Sequence, residues 1–408
     1  MLYTIHEMQR SALEGASAMA KFGAGMLNNP ANPFAYFGGG PVMASALEVF
    51  AHATAPHGKP EFGLSETVVA GKTVAVREEI VARKPFGQLK HFVREGVSTG
   101  PKLLIVAPMS GHYATLLRGT VERMLPSADV YITDWRDARQ VPLGDGSFDL
   151  DDYIDYLIAW LGVIGAEGDK RLHMLAVCQP SVPCYATVAL MSADKHPNRP
   201  RTLTMMGGPV DTREAPTAVN TLATERPHSW FEQNVIATVP MTYPGAGRRV
   251  YPGFLQLAGF MSMNLGDHMN SHWEMFKHLV AGEDLEADAT KAFYDEYRSV
   301  CDMTAEFYLQ TIDVVFQTHA IPNGTYRHRG RLADPGAISD VALMAIEGKR
   351  DDISGLGQTK AALTLATGLP AAKKKYLIAD AGHYGIFNGS KWRNQIAPEF
   401  EAWMAKND

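Results

Sequence analysis

The apolar positions of this chain fall into blocks with different periods. Met8, Ala12, Ala16, Met19, Phe22 and Met26 recur at spacings of three and four, which predicts a helical face, and Asn28-Asn29-Pro30 ends the run. Gly38-Gly39-Gly40-Pro41 separates it from a second helical stretch, Val42 to His52. A methionine-rich face of this kind more often packs on its own protein than docks on a lipid-like surface, so packing is expected. From Thr67 the period drops to two: Thr67 to Ala70, a Gly71-Lys72 turn and Thr73 to Ala82 predict a β-hairpin.

Strands and helices then alternate. Lys102 to Ala107 is a compact apolar strand with Pro108-Met109-Ser110-Gly111-His112 as its exit loop. A helical pattern from Tyr113 to Met124, strand Val130 to Thr133 and helix Leu150 to Ile164 follow, the last with Ser147, Asp151 and Asp152 placed to cap it and favour its dipole. Arg171 to Val177 is nearly all apolar, as a strand buried on both faces requires. Pro180 and Pro183 fall in the first turn of the helix that runs on to about Met191, where a missing N–H costs least. Strand Leu203 to Met206 ends in Gly207-Gly208-Pro209. This rhythm means βαβ units: an α/β protein with a mostly parallel sheet and helices on both faces.

After Val210-Asp211 the rhythm fails. Residues 212–335 are rich in Met, Phe, Tyr and Trp, with helical segments and Pro-Gly breaks at Pro244 and Pro252. The sheet pattern returns at Val341 to Glu347 and at Lys375 to Ile378. An insertion of that size inside one sheet predicts a lid. The expected division is an N-terminal helical region, 1–60, an α/β core in two parts, 61–211 and 336–408, and a mainly helical cap insertion, 212–335.

Composition narrows the function classes. The 408 residues carry a net charge of −6, which gives no reason to expect nucleic acid or an anionic membrane as partner. The three cysteines, Cys178, Cys184 and Cys301, show no C-x-x-C spacing and form no disulfide framework, which fits a reducing, cytoplasmic compartment. Met1 to Glu7 lacks the basic region and apolar core of a secretory signal. No apolar run reaches the roughly 18 residues of a membrane span, the nearest, Val250 to Leu265, being broken by Pro252, Gln256, Ser262 and Asn264. No H-E-x-x-H and no Gly-rich phosphate loop is present, so neither metal nor cofactor is expected.

The chemistry sits at strand ends, where an open parallel sheet places its site. Cys178 follows the apolar strand at a sharp strand-to-helix corner, the layout of a nucleophile elbow, although Ala176-Val177-Cys178-Gln179-Pro180 departs from G-x-S-x-G at three positions. The loop Gly348-Lys349-Arg350-Asp351-Asp352 follows the next core strand, and Ala381-Gly382-His383-Tyr384-Gly385 the last. Nucleophile, acid, histidine is the chain order of the α/β-hydrolase triad. Each residue also has a structural reading: Cys178 as a small buried hydrophobe, Asp351 and Asp352 as caps of a helix from about Gly355, His383 as a surface loop residue. Their joint agreement favours catalysis by Cys178, Asp351 and His383. Ser181 lies past the corner, and His112 has no acid placed to orient it. Backbone N–H groups of Gln179 and of Met109 or Ser110 are the expected oxyanion donors. His112, Phe254, Met261 and Tyr384 are expected to touch substrate, while Met241, Tyr251, Leu255, Phe260 and Met263 offer either a soft apolar surface or the core of the insertion.

The Cys elbow, Ala75-Val76-Arg77-Glu78-Glu79, Gly348-Lys349-Arg350-Asp351-Asp352-Ile353 and Ala381-Gly382-His383-Tyr384-Gly385 together resemble the intracellular polyhydroxybutyrate depolymerases, cysteine-nucleophile relatives of the polyhydroxyalkanoate synthases. The resemblance implies an α/β-hydrolase that cleaves amorphous poly-3-hydroxybutyrate at the surface of storage granules through an acyl-thioester, with Cys178, Asp351 and His383 matching the family triad. Hydrolysis and thiolysis by coenzyme A both remain open for the second step, and so does assembly as a homo-oligomer. Gln179 stands where the synthases carry Gly. The alternatives are a synthase-like acyltransferase and a non-catalytic granule-binding protein.

Overall fold

A computed structural model describes residues 2–36, 39–166, 171–263 and 265–408, so Met1, Gly38 and Asn264, and the Met263 side chain, lie outside the described part. The centre is a sheet of nine strands: β1 (Glu66–Val69), β2 (Lys72–Lys84), β3 (Gly87–Arg94), β4 (Lys102–Val106), β5 (Asp129–Trp135), β6 (Leu172–Val177), β7 (Thr202–Met206), β8 (Ala342–Gly348) and β9 (Lys374–Ala379). Their spatial order is β1-β2-β3-β5-β4-β6-β7-β8-β9. Strands β5, β4, β6, β7, β8 and β9 run parallel, and β1, β2 and β3 extend the sheet antiparallel from β5. Every residue of β4, β6, β7 and β8 is buried, which is why these strands read as continuous apolar runs.

The order reverses beside β4, since β5 lies on one side of it and β6 on the other. That reversal opens a crevice at the C-terminal ends of the strands. The exit loops of β4, β6, β7, β8 and β9 therefore lie in a row along one edge. This is the α/β-hydrolase fold expected from the sequence.

Local boundaries differ in instructive ways. Strand β3 escapes the hydrophobic pattern because Lys90, His91 and Arg94 interrupt it. Their polar ends are satisfied by Glu78, Asp129 and the Leu125 carbonyl, while Leu89 and Phe92 are fully buried. Helix α4 (Leu150–Gly165) is capped by Asp149, not Ser147: Asp149 accepts from the Asp152 N–H at 2.8 Å and Asp152 returns the bond at 3.0 Å. This reciprocal box satisfies two otherwise unpaired donors. No helix starts at Gly355; turns run on to the short helix Ala361–Leu365.

Between β7 and β8 the chain leaves the sheet. It forms α6 (Ala218–Glu225), α7 (His228–Asn234), α8 (Gly253–Met263), α9 (Leu265–Ala281), α10 (Asp284–Arg298) and α11 (Ala305–Thr311), which continues as a π-helix, Ile312–Gln317. The first helices of the chain, α1 (Leu2–Leu27) and α2 (Gly40–Thr54), pair with each other and rest on this insertion. Tyr3 donates to Asp302 at 2.6 Å, His6 stacks on Phe254 at 3.8 Å between ring centres, and Lys291 reaches Glu48 at 2.6 Å. The expectation that the methionine face of α1 packs on the protein is overturned. The packed side carries Tyr3, Ser17, Ala20 and Ala24, whereas Met8, Met19 and Phe22 are 70%, 77% and 71% exposed. Small residues at the packed positions let α1 approach α2 closely, which turns the large side chains outward.

Candidate active site

Cys178 occupies the corner between β6 and α5 (Ser181–Ala193) with φ of 67°, a left-handed conformation that costs a non-glycine residue about 1–2 kcal/mol. The strain is held by bonds on either side. The Cys178 N–H donates to the Met206 carbonyl at 2.7 Å, and its carbonyl accepts from the Ser181 N–H at 3.0 Å. The corner leaves the side chain partly exposed, while Ser181, the neighbouring hydroxyl, is fully buried.

His383 meets Cys178 from the loop after β9. Its Nδ1 lies 2.7 Å from Asp351 Oδ2, which leaves Nε2 for the thiol. Burial opposes the charged imidazolium, but the charge of the Cys178 sulfur and the bond to Asp351 outweigh it, so the pKa is raised well above the usual histidine range. Asp351 is held from behind: its Oδ1 accepts from the N–H groups of Ile353 at 2.9 Å and Ser354 at 2.8 Å. The helix expected to be capped by Asp351 does not form; the Asp351 Oδ1 closes a turn instead, while its Oδ2 faces His383.

Two features behind this trio were not legible as site residues. Gly207, with φ of 55°, follows β7 against these three residues; a Cβ there would lie 3.1 Å from His383 Cε1 and 3.2 Å from Asp351 Oδ2. Glu347, at the end of β8, accepts from the N–H groups of Gly357, Thr359 and Lys360 and from the Tyr376 hydroxyl, and so anchors the chain that follows Asp351. A buried acid in an apolar strand was the available signal.

The loop after β4 lies beside Cys178 because β4 and β6 are neighbours. The Met109 N–H donates to the Gln179 side-chain oxygen at 3.2 Å, and the Gln179 N–H has no hydrogen bond among the described residues. Met109, Gln179 and Cys178 line the same cavity, and the Met109 N–H is covered by the Gln179 amide oxygen. Ser110 also lines the site.

These groups open on a cavity of about 410 Å³. Its far walls come from the insertion: Leu222 and Phe231, Tyr251 stacked on Tyr308 at 4.0 Å, Met303, Phe307 and Phe316. Of the expected substrate contacts, Tyr384 and His112 lie on the cavity. His112 is buried with Nε2 3.0 Å from the Tyr297 carbonyl, and burial pushes its pKa down to about 4, so it stands as a neutral wall residue. Phe254 and Met261 are not in the lining: Phe254 turns to Tyr3 and His6 instead, and Phe260, six residues on, takes the place beside His112. Among the described residues no group of three or more His, Cys, Asp or Glu is arranged to hold a metal.

The C-terminal stretch, residues 207–408, matches the family model described as PHB de-polymerase C-terminus. This stretch belongs to the PHB depolymerase family. It carries the insertion, Asp351 and His383, and begins after Cys178. No curated protein matches the chain. Solved structures that it resembles include a thermophilic esterase from Thermogutta terrifontis, at 14% identity over 84% of this chain and 97% of that one, with a TM-score of 0.42. Others are naproxen esterase from Bacillus subtilis (11%, 80% and 92%, 0.43) and 2-hydroxy-6-oxo-6-phenylhexa-2,4-dienoate hydrolase from Rhodococcus sp. strain RHA1 (11%, 81% and 99%, 0.46). The family match over this stretch supports an ester hydrolase of the depolymerase type, and the strand order shows the fold. Among the described residues no helix is long and apolar enough to cross a membrane.

Proposed function

We propose that this protein cleaves the ester bonds of poly-3-hydroxybutyrate, with Cys178 as nucleophile, His383 as acid–base and Asp351 as the group that orients it. The observation that carries the reading is a strained elbow thiol beside an Asp-paired histidine, at the wall of an apolar cavity. Either His383 takes the thiol proton as the sulfur attacks, or the two stand as a thiolate–imidazolium pair beforehand.

The thiolate attacks the ester carbonyl carbon, and the oxyanion takes the N–H groups of Gln179 and Met109 once the Gln179 amide swings aside. The carbon–oxygen bond to the next unit breaks, and the departing 3-hydroxyl receives the His383 proton. His383 then takes a proton from water, whose oxygen attacks the thioester, and the acid leaves as Cys178 regains its sulfur charge. The insertion serves as the lid, and its aromatic and methionine walls suit an aliphatic chain whose only polar groups are neutral esters. Action at a granule surface in the cytoplasm follows from the substrate.

Mass spectrometry after mixing with a 3-hydroxybutyrate oligomer ester tests this. A 3-hydroxybutyryl adduct on Cys178 is expected, accumulating in His383→Gln, with turnover abolished in Cys178→Ala and kept in Ser181→Ala. Turnover that survives Cys178→Ala would overturn the assignment.

A further inference from the structure

Helix α1 has two faces with different fates. One packs on α2 through Ser17, Ala20 and Ala24. On the other, roughly half a turn around the helix, Ile5, Met8, Met19, Phe22 and Met26 are 45%, 70%, 77%, 71% and 53% exposed. With Ala12 and Gly15 they form one stripe at alternating spacings of three and four. Twenty-one residue steps at 1.5 Å make it about 32 Å long. The charged residues of α1, Glu7, Arg10, Glu14 and Lys21, all lie away from it, and the positions flanking the stripe on both edges hold only Thr, Ser, Gln, Ala and Gly. An apolar strip of this length left largely uncovered by the described residues marks an interaction surface.

We infer that this stripe docks the protein on the surface of a neutral aliphatic polyester, an inference that rests on the proposed substrate. Charge selects the occupant. An anionic bilayer is met by an apolar face rimmed with Lys and Arg, and none rims this one. A coiled-coil partner is chosen by charges at the flanking positions, and those are uncharged here. A polyester presents methyl, methylene and ester groups without charge, which flexible methionines and a phenylalanine cover with no ion to desolvate.

Position supports the same occupant. The first turns of α1 sit on α8 through the His6–Phe254 stack, and α8 supplies Gln256, Gly259 and Phe260 to the catalytic cavity. A chain end lifted from the docked surface is thus held close to the helix that borders Cys178.

The test uses the full-length protein, a Met8→Glu/Met19→Glu/Phe22→Glu variant and a Met19→Ser/Phe22→Ser variant. The second covers the case in which the first fails to fold. Adsorption to amorphous poly-3-hydroxybutyrate particles should fall at least tenfold in both, and turnover of the particles with it. Turnover of a soluble oligomer ester should stay within twofold of the parent. Three results would overturn the inference: unchanged adsorption, a parent dimer that the variants split, or parent binding to phosphatidylcholine or anionic vesicles as tight as to the polymer. If the stripe variants lose adsorption but the parent hydrolyses neither substrate, the proposed chemistry fails and the docking surface stands. If the soluble ester is cleaved and the variants still adsorb, the reverse holds.

Discussion

Gly207→Ala separates the geometry of the triad from its composition, because it touches none of the three side chains by substitution. The backbone term comes from φ of 55°, where an L-residue costs about 1–2 kcal/mol. The contact term comes from a Cβ placed 2.9 Å from Ile386 Cδ1, 3.1 Å from His383 Cε1 and 3.2 Å from Asp351 Oδ2. Carbon atoms rest at about 3.5–4.0 Å, so the imidazole must retreat by roughly half an ångström. A misplacement of about 1 Å costs on the order of a hundredfold in rate, and half that displacement about tenfold. The expected result is a fall in kcat/KM on a soluble ester of about 10- to 100-fold, equivalent to about 1.4–2.8 kcal/mol in the barrier. Alkylation of Cys178 by iodoacetamide should slow in parallel, because the displaced imidazole no longer assists the sulfur. Gly71→Ala is the control: its φ of 79° carries the same backbone strain with nothing within 4 Å, so it should lose stability and keep activity. A Gly207→Ala enzyme that melts normally and retains kcat/KM within threefold would refute the reasoning, since the packing at Gly207 would then not fix the reactive arrangement.

Two further outcomes follow from the same site and its surroundings. Gln179→Ala removes the amide oxygen that the Met109 N–H now satisfies at 3.2 Å; one neutral hydrogen bond is worth about 1 kcal/mol, so KM for a soluble ester should fall about fivefold, and an unchanged or higher KM would mean that the amide does not obstruct the carbonyl. Asp302 is buried and its pKa is pushed up to about 6, by burial first and then by the neighbouring Asp137. An acid that holds its proton longer in the folded state contributes stability that is full below the ordinary carboxylate value near 4 and is lost as pH rises through 6. Two pH units correspond to at most about 3 kcal/mol, so the melting temperature of Asp302→Asn relative to the parent should rise between pH 4 and pH 7; parallel profiles would refute this.

The sheet was legible wherever a strand is buried on both faces, because burial on two sides favours apolar residues: β4, β6 and β8 announce themselves although each holds one buried polar residue, Lys102, His173 and Glu347. It was not legible at β3, where long polar side chains lay their stems along the sheet and carry their charges to Asp129 and Glu78 at its surface. That Cys178, Asp351 and His383 come together was legible because each follows a core strand whose C-terminal end faces the same crevice. Their supports were less so. Gly207 acts through close approach and leaves no local pattern; Glu347 acts through backbone donors brought in from other segments, and its one local sign is an acid in an apolar strand. Helix α1 misled for a different reason: periodicity reports an apolar face but not which of two faces is covered, and here small residues took the packed side.

The insertion between β7 and β8 also governs when the protein becomes chemically competent. These two strands are neighbours in the sheet, yet residues 207–341 lie between them in the chain. A ribosome that has synthesised everything up to the end of that insertion has released the elbow thiol and most of the cavity wall, but neither Asp351 nor His383. Such a nascent chain holds the proposed nucleophile without its proposed base, and its β7 edge is bare until β8 arrives to pair with it. Reactivity and closure of the sheet therefore come in the same final step of synthesis, and an interrupted chain is exposed to aggregation before it is ever exposed to substrate.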